Sequence, residues 1–574
     1  MRILTTGAGL GLALSLSGGA YAQTITTLVL EGDPIAGVGN VTLINNLDVN
    51  NNGDWIVEAD TDNAVTTEDV VLIQNGVVVY QEGQALSLPV GASLKGYDSM
   101  SLNEAGSIST NWSLNGTSGS SDDTGLYFDG ALLIQEGDIS TAAGFSAGTP
   151  YIGFFETWNS DNNQFAVLAS VDDPAIASTV DRALVIIAHD GAGNLVSETV
   201  VAKEGDQPFP GRFITEIQTG QHDVDFSQNG HVAYNVDVDG SAADDTAIFV
   251  DGTLIAREGD PSGVVAGVNW SSLSSAVLDV NNNGKVVFHG DLDTGGTADD
   301  RVIVYDGTLI AREGSGHPAI PAGMVFTSFG SGPMYCSDSG DVVYFGDWDD
   351  PDTTIDTGLF INDQLVIQEG VTVVAGLVVD DIRGISDGFR MSDDGRYVIV
   401  ELNLVGGIEG AFLIDRGPLA ETICVGDGTY DIGGGPIACP CVNESTLGAG
   451  EGCKNSQGHG AKLSVSGSLT VAAGNAVFSA TQARPVQPGM LVQGATLQAI
   501  PFKDGILCMG NPTERVEVAF TDAGGNAQTV GNIAVLGNVS PGDTRYYQYW
   551  YRDPALSPCG TGSNFSQGLK VDWQ

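Results

Sequence analysis

The sequence predicts an all-β chain, a seven-bladed β-propeller closed by an N-terminal strand and followed by a disulfide-bonded β-sandwich. Three observations carry that expectation. A β-type segment ends in Glu-Gly seven times, at Glu31, Glu82, Glu136, Glu204, Glu258, Glu313 and Glu369, with gaps of 51, 54, 68, 54, 55 and 56 residues. A period of that length in β-type sequence belongs to propeller blades. In phase with it runs a polar turn, as Asn50-Asn51-Asn52-Gly53, Asn103-Glu104-Ala105-Gly106, Ser227-Gln228-Asn229-Gly230, Asn281-Asn282-Asn283-Gly284, Ser337-Asp338-Ser339-Gly340 and Ser392-Asp393-Asp394-Gly395, with a degenerate form at Ser160-Asp161-Asn162-Asn163. Finally, composition changes after Pro418, beyond which lie six of the seven cysteines.

In chain order, Met1-Arg2, the apolar residues 3–19 and Ala20-Tyr21-Ala22 read as a secretory signal at 1–22, so the mature chain is expected to begin at Gln23. No later run is apolar for the ~18 residues a membrane span needs. The expected location is therefore secreted or at the cell surface. Residues 23–418 hold the repeats. Asn75-Gly76, Asp129-Gly130, Asp251-Gly252 and Asp306-Gly307 are hairpin signals, because a type I′ turn needs φ > 0 at both central residues. The fifth repeat then reads as four strands, 268–280, 285–290, 301–305 and 308–313, each rich in Val, Ile, Phe or Tyr and bounded by turn residues. The last repeat supplies only three, at 376–382, 396–402 and 410–414. Its missing Glu-Gly strand stands at the other end of the chain, in Thr26 to Gly32. Pairing of that strand beside 410–415 would close the ring and remove open sheet edges.

The segment Ser392-Asp393-Asp394-Gly395-Arg396-Tyr397-Val398 resembles the repeats of TolB-like bacterial extracellular propellers, a Ser-x-Asp-Gly turn followed by an apolar strand. The resemblance covers residues 24–417 and implies architecture only. Beyond it, Cys439-Pro440-Cys441-Val442-Asn443, Gly452-Cys453-Lys454-Asn455-Ser456, Gly458-His459-Gly460-Ala461, Pro541-Gly542-Asp543-Thr544-Arg545-Tyr546-Tyr547-Gln548 and Trp550-Tyr551-Arg552-Asp553-Pro554 resemble a C-terminal module of secreted planctomycete-type proteins of unknown function. That resemblance, over 419–574, implies an extracellular address. Alternation at 462–471, 491–500 and 515–520 suggests a β-sandwich. Cys424, Cys439, Cys441, Cys453, Cys508 and Cys559 are expected to form three disulfides in an oxidising compartment, in any of fifteen pairings. Zinc on Cys439, Cys441, Cys453 and His459 is the alternative. Cys336 has no evident partner and is expected to be a buried thiol.

With 72 Asp+Glu against 21 Lys+Arg, the formal net charge is −51. Nucleic acid and anionic membrane surfaces need basic patches, so neither is an expected partner. Divalent cations and neutral ligands fit better. After the second strand of four repeats comes Asp-x-Asp: Asp60/Asp62, Asp237/Asp239, Asp291/Asp293 and Asp347/Asp349, with Asp244 and Asp299 following. Alternate residues of an extended chain share a side, so each pair could present two carboxylates to calcium, which takes six to eight oxygens. The competing reading is solvated loop acids on an acid-rich surface. Asp48 and Asp279 precede Asn-rich turns in a calcium-loop-like pattern, but the equivalent positions elsewhere hold Tyr335 and Arg390, which favours a plain tight turn. The Glu of each Glu-Gly is expected to accept backbone N–H groups of the next blade, while Gly forms a φ > 0 corner.

Gly144-Phe145-Ser146-Ala147-Gly148 and Gly384-Ile385-Ser386-Asp387-Gly388 match a nucleophile motif that needs a strand–turn–helix elbow, and neither precedes a helix. Near the C-terminus, alternation places Tyr547, Tyr549 and Tyr551 on one side of a strand and Tyr546 and Trp550 on the other. One side must be core, and the other could be a platform for sugar rings or a protein. The function read from these features is non-catalytic binding of an extracellular glycan or protein, with calcium as a possible stabilising ion. An enzyme acting on polysaccharide through propeller-face carboxylates is the alternative, and a structural envelope component a further one. An enzyme should break the repeat with one asymmetric pocket, most naturally around the insert 172–181 of the long third repeat.

Overall fold

The computed structural model describes residues 24–573 apart from 177–179, 220–221, 274–276, 384–387, 418–419, 467–468, 470, 472–473, 541 and 555–556. The expected signal at 1–22 and the motif at 384–387 lie outside the described residues. The chain divides into two compact units, one spanning Ile25–Asp415 and one that includes Arg416–Gln574.

The first unit is a β-propeller, built of seven antiparallel sheets among the described residues. In the fifth, Arg301–Tyr305 pairs with Val286–Leu292 on one side and with Thr308–Arg312 on the other. The single inner strand expected over 268–280 is instead two pieces, Trp270–Ser272 and Leu278–Val280, both paired with Val286–Leu292. Ser272 faces Asp291 and Leu278 faces Phe288, so the inner strand covers six residues while its partner covers three. The expected I′ corners are present: Asn75, Asp129, Asp251 and Asp306 have φ of 50, 45, 49 and 45°, each followed by a glycine at 74–79°.

Glu-Gly marks the junction between sheets. The N–H groups of Gly32, Gly83, Gly137, Gly205, Gly259, Gly314 and Gly370 donate to carbonyls of Val41, Leu94, Tyr151, Ile214, Trp270, Phe326 and Val379, each on the first strand of the next sheet, at 2.8–2.9 Å. All seven glycines have φ between +66 and +91°, which a side chain would strain. The seventh sheet runs Leu377–Ile382, Tyr397–Leu404, Ile408–Asp415 and then Thr24–Leu30, so the N-terminal strand supplies its outer edge. The Glu31 N–H donates to the Glu409 carbonyl at 2.8 Å.

Inner strands touch in sequence around a ring, and Gly39–Val49 of the first sheet meets Phe389–Met391 of the seventh. The apolar core lies between neighbouring sheets. One cluster joins Val41, Val57 and Val71 of the first sheet to Ile399 and Ala411 of the seventh. Because both faces of each sheet are covered, the strands read as near-continuous apolar runs.

The second unit is a β-sandwich. Its larger sheet is ordered Ala420–Ile423, Gly568–Asp572, Thr544–Arg552, Pro488–Phe502 and Gly505–Phe520, with Ser563–Phe565 also paired to Thr544–Arg552. Lys462–Ser466, Val477–Thr481 and Ala527–Gln528 form the smaller one. A single core contains Leu463 and Phe478 from the small sheet and Leu491, Tyr547 and Leu569 from the large one, so the sheets face each other. The cysteines pair as Cys424–Cys508, Cys439–Cys453 and Cys441–Cys559. This corrects the zinc alternative, since the three thiols it needs are consumed in disulfides. Cys336 is a free, buried thiol.

Candidate functional site at the propeller axis

Two residues before each polar turn, the inner strand carries one residue at a shared position, and five of the seven, Asp48, Asp225, Asp279, Tyr335 and Arg390, interact with one another across the ring. In order the seven are Asp48, Ser101, Trp158, Asp225, Asp279, Tyr335 and Arg390. Four of them cap the following sheet. The N–H groups of Leu102, Val280 and Cys336 donate to Asp48, Asp225 and Asp279 at 2.7, 2.8 and 2.7 Å, and that of Asn159 donates to Ser101 Oγ at 3.1 Å. Arg390 closes the ring, its Nε 2.8 Å from Asp48 Oδ1 and its guanidinium 5.3 Å from the Tyr335 ring centroid. His222 stands edge-on to the same ring at 6.2 Å.

Burial sets the charge states here. It pushes Asp48 and Asp225 above the ordinary carboxylate range although Arg390 pulls both down. Asp279 is raised well above that range by burial and by Asp225, to which it is hydrogen-bonded. Burial and Arg390 depress His222 to about 3, so its ring is neutral at physiological pH. Arg390 keeps its charge, because Asp48 and its neighbours outweigh the burial that would depress it. The cavity that His222, Asp225, Tyr335, Arg390, Thr157 and Asn46 help to line holds about 30 Å³, room for about one water molecule and not for a sugar ring.

The turns are linked from blade to blade as well. Asn229 N–H donates to Asn282, Asn282 N–H to Asp338, Asp394 N–H to Asn51 Oδ1, Asn51 N–H to Glu104 and Glu104 N–H to Asp161, an arc that runs from the fourth turn through the first to the third. Asn282 Nδ2 donates to both Asp338 and Asp393, at 3.1 and 3.0 Å. Burial lifts Glu104 to about 8 and Asp393 to about 7. The sequence signal for both sets was the turn itself. Its second residue and the residue two before it vary from blade to blade, and that variation conceals a shared position.

The expected calcium ligands are not gathered into one cluster among the described residues; each is engaged locally. Asp62, Asp239, Asp293 and Asp349 each accept a backbone N–H at the start of their own sheet's inner strand, from Asn40, Phe213, Asn269 and Val325 at 2.6–2.8 Å. Their partners in Asp-x-Asp are engaged as well. Asp60 accepts from Asn45, Asp237 from Gln218 and Thr246, Asp347 from Thr327, and Asp291 pairs with Arg301. Asp244 lies between Arg212 and Arg257, and Asp299 beside Arg312. Among the described residues no three acid, His or Cys side chains converge as metal ligands. The physical reason is position: one Asp lies within the ladder and the next at its exit, where an inner-strand N–H needs an acceptor.

The aromatic platform is corrected too. Tyr547, Tyr549 and Tyr551 are 0, 2 and 1% exposed and belong to the sandwich core. Their hydroxyls have internal partners in Trp573 Nε1, the Ala519 carbonyl and Asn455 Nδ2. On the opposite side, Trp550 stacks on Phe565 with centroids 5.7 Å apart. In the third-sheet insert, Asp173 is fully buried, pairs with Lys203 at 3.2 Å and donates its N–H to Asp181. Those contacts tie the insert to its own sheet.

Fold and site together define an all-β protein whose propeller blades are joined by carboxylate caps and whose second unit is a disulfide-bonded sandwich. The model of a family of unknown function (DUF7453) matches residues 187–400. No curated protein matches the chain. Among solved structures, similarity extends to the GH74 xyloglucanase of Xanthomonas campestris, at 10% identity over 95% of this chain and 81% of that one, with a TM-score of 0.31. The α-L-arabinanase of Penicillium chrysogenum complexed with arabinobiose is 12% identical over 55% of this chain and 92% of its own, with a TM-score of 0.27. A gluconolactonase of Xanthomonas campestris is 9% identical over 71% and 93%, with a TM-score of 0.25. No residue role passes from these proteins to this chain at such identity.

Proposed function

We propose that the chain is a secreted or cell-surface binding protein without catalytic activity, a rigid acidic scaffold that presents its propeller loops to an extracellular glycan or protein. One observation carries this reading. The axial acids, which a reaction would recruit, serve as internal hydrogen-bond acceptors around a cavity of water size. The charge distribution supports it. Residues 25–415 hold 60 of the 72 acids and 11 of the 21 Lys and Arg, so a neutral or cationic ligand suits that unit. Calcium enters as a counter-ion to exposed rim carboxylates such as Asp293 and Asp349.

A second reading has one specific observation behind it. Burial lifts Glu401 to about 8, and it is hydrogen-bonded to Glu409 beside the partly exposed Arg383. A carboxyl still protonated at neutral pH is what a general acid requires. One experiment separates the readings: co-sedimentation of the protein with a panel of polysaccharides, with and without EDTA, while new sugar ends are assayed in the supernatant. Pelleting without new ends is the expected result. New ends that vanish in Glu401→Gln would overturn it, and no pelleting on any glycan would leave a protein ligand as the surviving form.

A further inference from the structure

The open end of the third-to-fourth-strand hairpin carries the same acid in six sheets. There the N–H groups of Glu82, Glu136, Glu204, Glu258, Glu313 and Glu369 donate to the carbonyls of Val70, Thr124, Arg182, Thr246, Arg301 and Thr357. The residue before each of those carbonyls is Asp: Asp69, Asp123, Asp181, Asp245, Asp300 and Asp356. Backbone register therefore puts an Asp beside every one of these Glu residues. The seventh sheet departs, since Ile408 precedes the Glu409 carbonyl that accepts from Glu31.

In three sheets the carboxyls touch: Glu82 is hydrogen-bonded to Asp69, Glu136 to Asp123 and Glu258 to Asp245. Ionised carboxylates are acceptors only, so such a bond exists only while the pair holds one proton. The same Glu residues stand at blade junctions. Glu258 also accepts the Leu273 N–H of the next sheet at 2.9 Å, and the glycine after each Glu donates to that sheet.

We propose that Asp69–Glu82, Asp123–Glu136 and Asp245–Glu258 are proton-sharing latches at three blade junctions, which make the propeller a fold that loosens as pH rises toward neutrality. The groups facing each pair are few. Glu82 faces the Tyr97 phenol of the next sheet, Glu136 faces the Thr124 hydroxyl, and Glu258 faces the Thr246 and Leu273 N–H groups. The other three sheets differ: Glu204 and Glu313 face Arg182 and Arg301, and Glu369 faces Asp380 and Asp381 as well as Asp356.

Burial and the neighbouring Asp lift Glu82 from 4.5 to about 7, and burial raises Glu136 and Glu258 in the same direction. A proton held more tightly in the folded chain stabilises it fully below the unfolded value. That stability is lost as pH rises through the folded value, here between about 4.5 and about 7 for Glu82.

The test is thermal unfolding of the full, oxidised chain at fixed ionic strength between about pH 5.5 and about pH 7.5, above the range in which ordinary carboxyls titrate. The melting temperature is expected to fall across that window. In the triple variant Asp69→Asn, Asp123→Asn, Asp245→Asn, each amide donates permanently to its Glu, and the slope is expected to become shallower than wild type, with the other raised carboxyls, Glu204, Glu313, Asp393, Glu104 and Glu401, supplying what remains. A wild-type melting temperature that is flat or rising, or a triple variant with the wild-type slope, overturns the proposal. Should the triple variant not fold, Asp123→Asn alone decides by the same slope comparison.

Discussion

Replacing Arg390 with Met would test whether the axis is held together by charge. Met keeps the length of the side chain and removes its cation. Asp48 would lose its 2.8 Å partner while remaining buried, with the Leu102 and Val49 N–H groups as its remaining donors. Two routes are open to it. Staying ionised and unpaired costs about 3–5 kcal/mol. Taking a proton instead costs, for a group whose ordinary value is 3.8, about 4 kcal/mol at pH 7 and about 2 kcal/mol at pH 5. The protonation route sets the ceiling, and loss of the contact with Tyr335 adds about 1 kcal/mol. Urea unfolding should therefore show a loss of up to about 5 kcal/mol at pH 7 and up to about 3 kcal/mol at pH 5, the raised resting value of Asp48 keeping it below those ceilings. Adding Asp48→Asn to the Met variant should restore most of it, because the neutral amide still accepts the Leu102 N–H. A loss below about 1 kcal/mol at pH 7, or one that does not shrink on acidification, would refute the charge-based account of the axis.

Three further outcomes are expected. Gly370→Ala should cost about 3 kcal/mol in propeller stability, because φ is +66° there and a Cβ would overlap the Thr354 carbonyl oxygen; urea unfolding reads it. Joint replacement of Cys441 and Cys559 by Ser opens a loop with a sequence separation of 118 and should destabilise the sandwich by about 5 kcal/mol in guanidinium unfolding. Tyr549→Phe should cost about 1 kcal/mol through its bond to the Ala519 carbonyl. It should leave ligand co-sedimentation unchanged, and a loss of pelleting would reopen the aromatic platform.

Much of the fold was legible because the repeat states the same local chemistry many times. Glu-Gly, the polar turn and the I′ dipeptides each specify backbone geometry through φ, and φ is read from residue type alone. Closure by Thr24–Leu30 followed from counting strands. The site was less legible. Asp-x-Asp has the same spacing whether it caps N–H groups or binds a cation, and what decides is whether an N–H stands opposite Asp62 or Asp239. Tyr547, Tyr549 and Tyr551 share a face by alternation, yet alternation does not say which face another sheet covers. The axial residues stand about 55 positions apart and differ in type, so Asp225 or Arg390 has no local motif. Their common place appears only when the turns are superposed in space.

Closure by the N-terminal strand also sets a timetable. The chain cannot complete its ring until Ile408–Asp415 exists to receive Thr24–Leu30. At ribosomal rates of 5–20 residues per second, the first strand waits roughly 20 to 80 s for its partner. During that interval the earlier sheets can stack in order while the last junction stays open. The contact that completes the propeller is thus among its least local, and non-local contacts slow folding. A chain with such a delay keeps one sheet edge open for longer, and its final locking step comes after its last sheet is delivered.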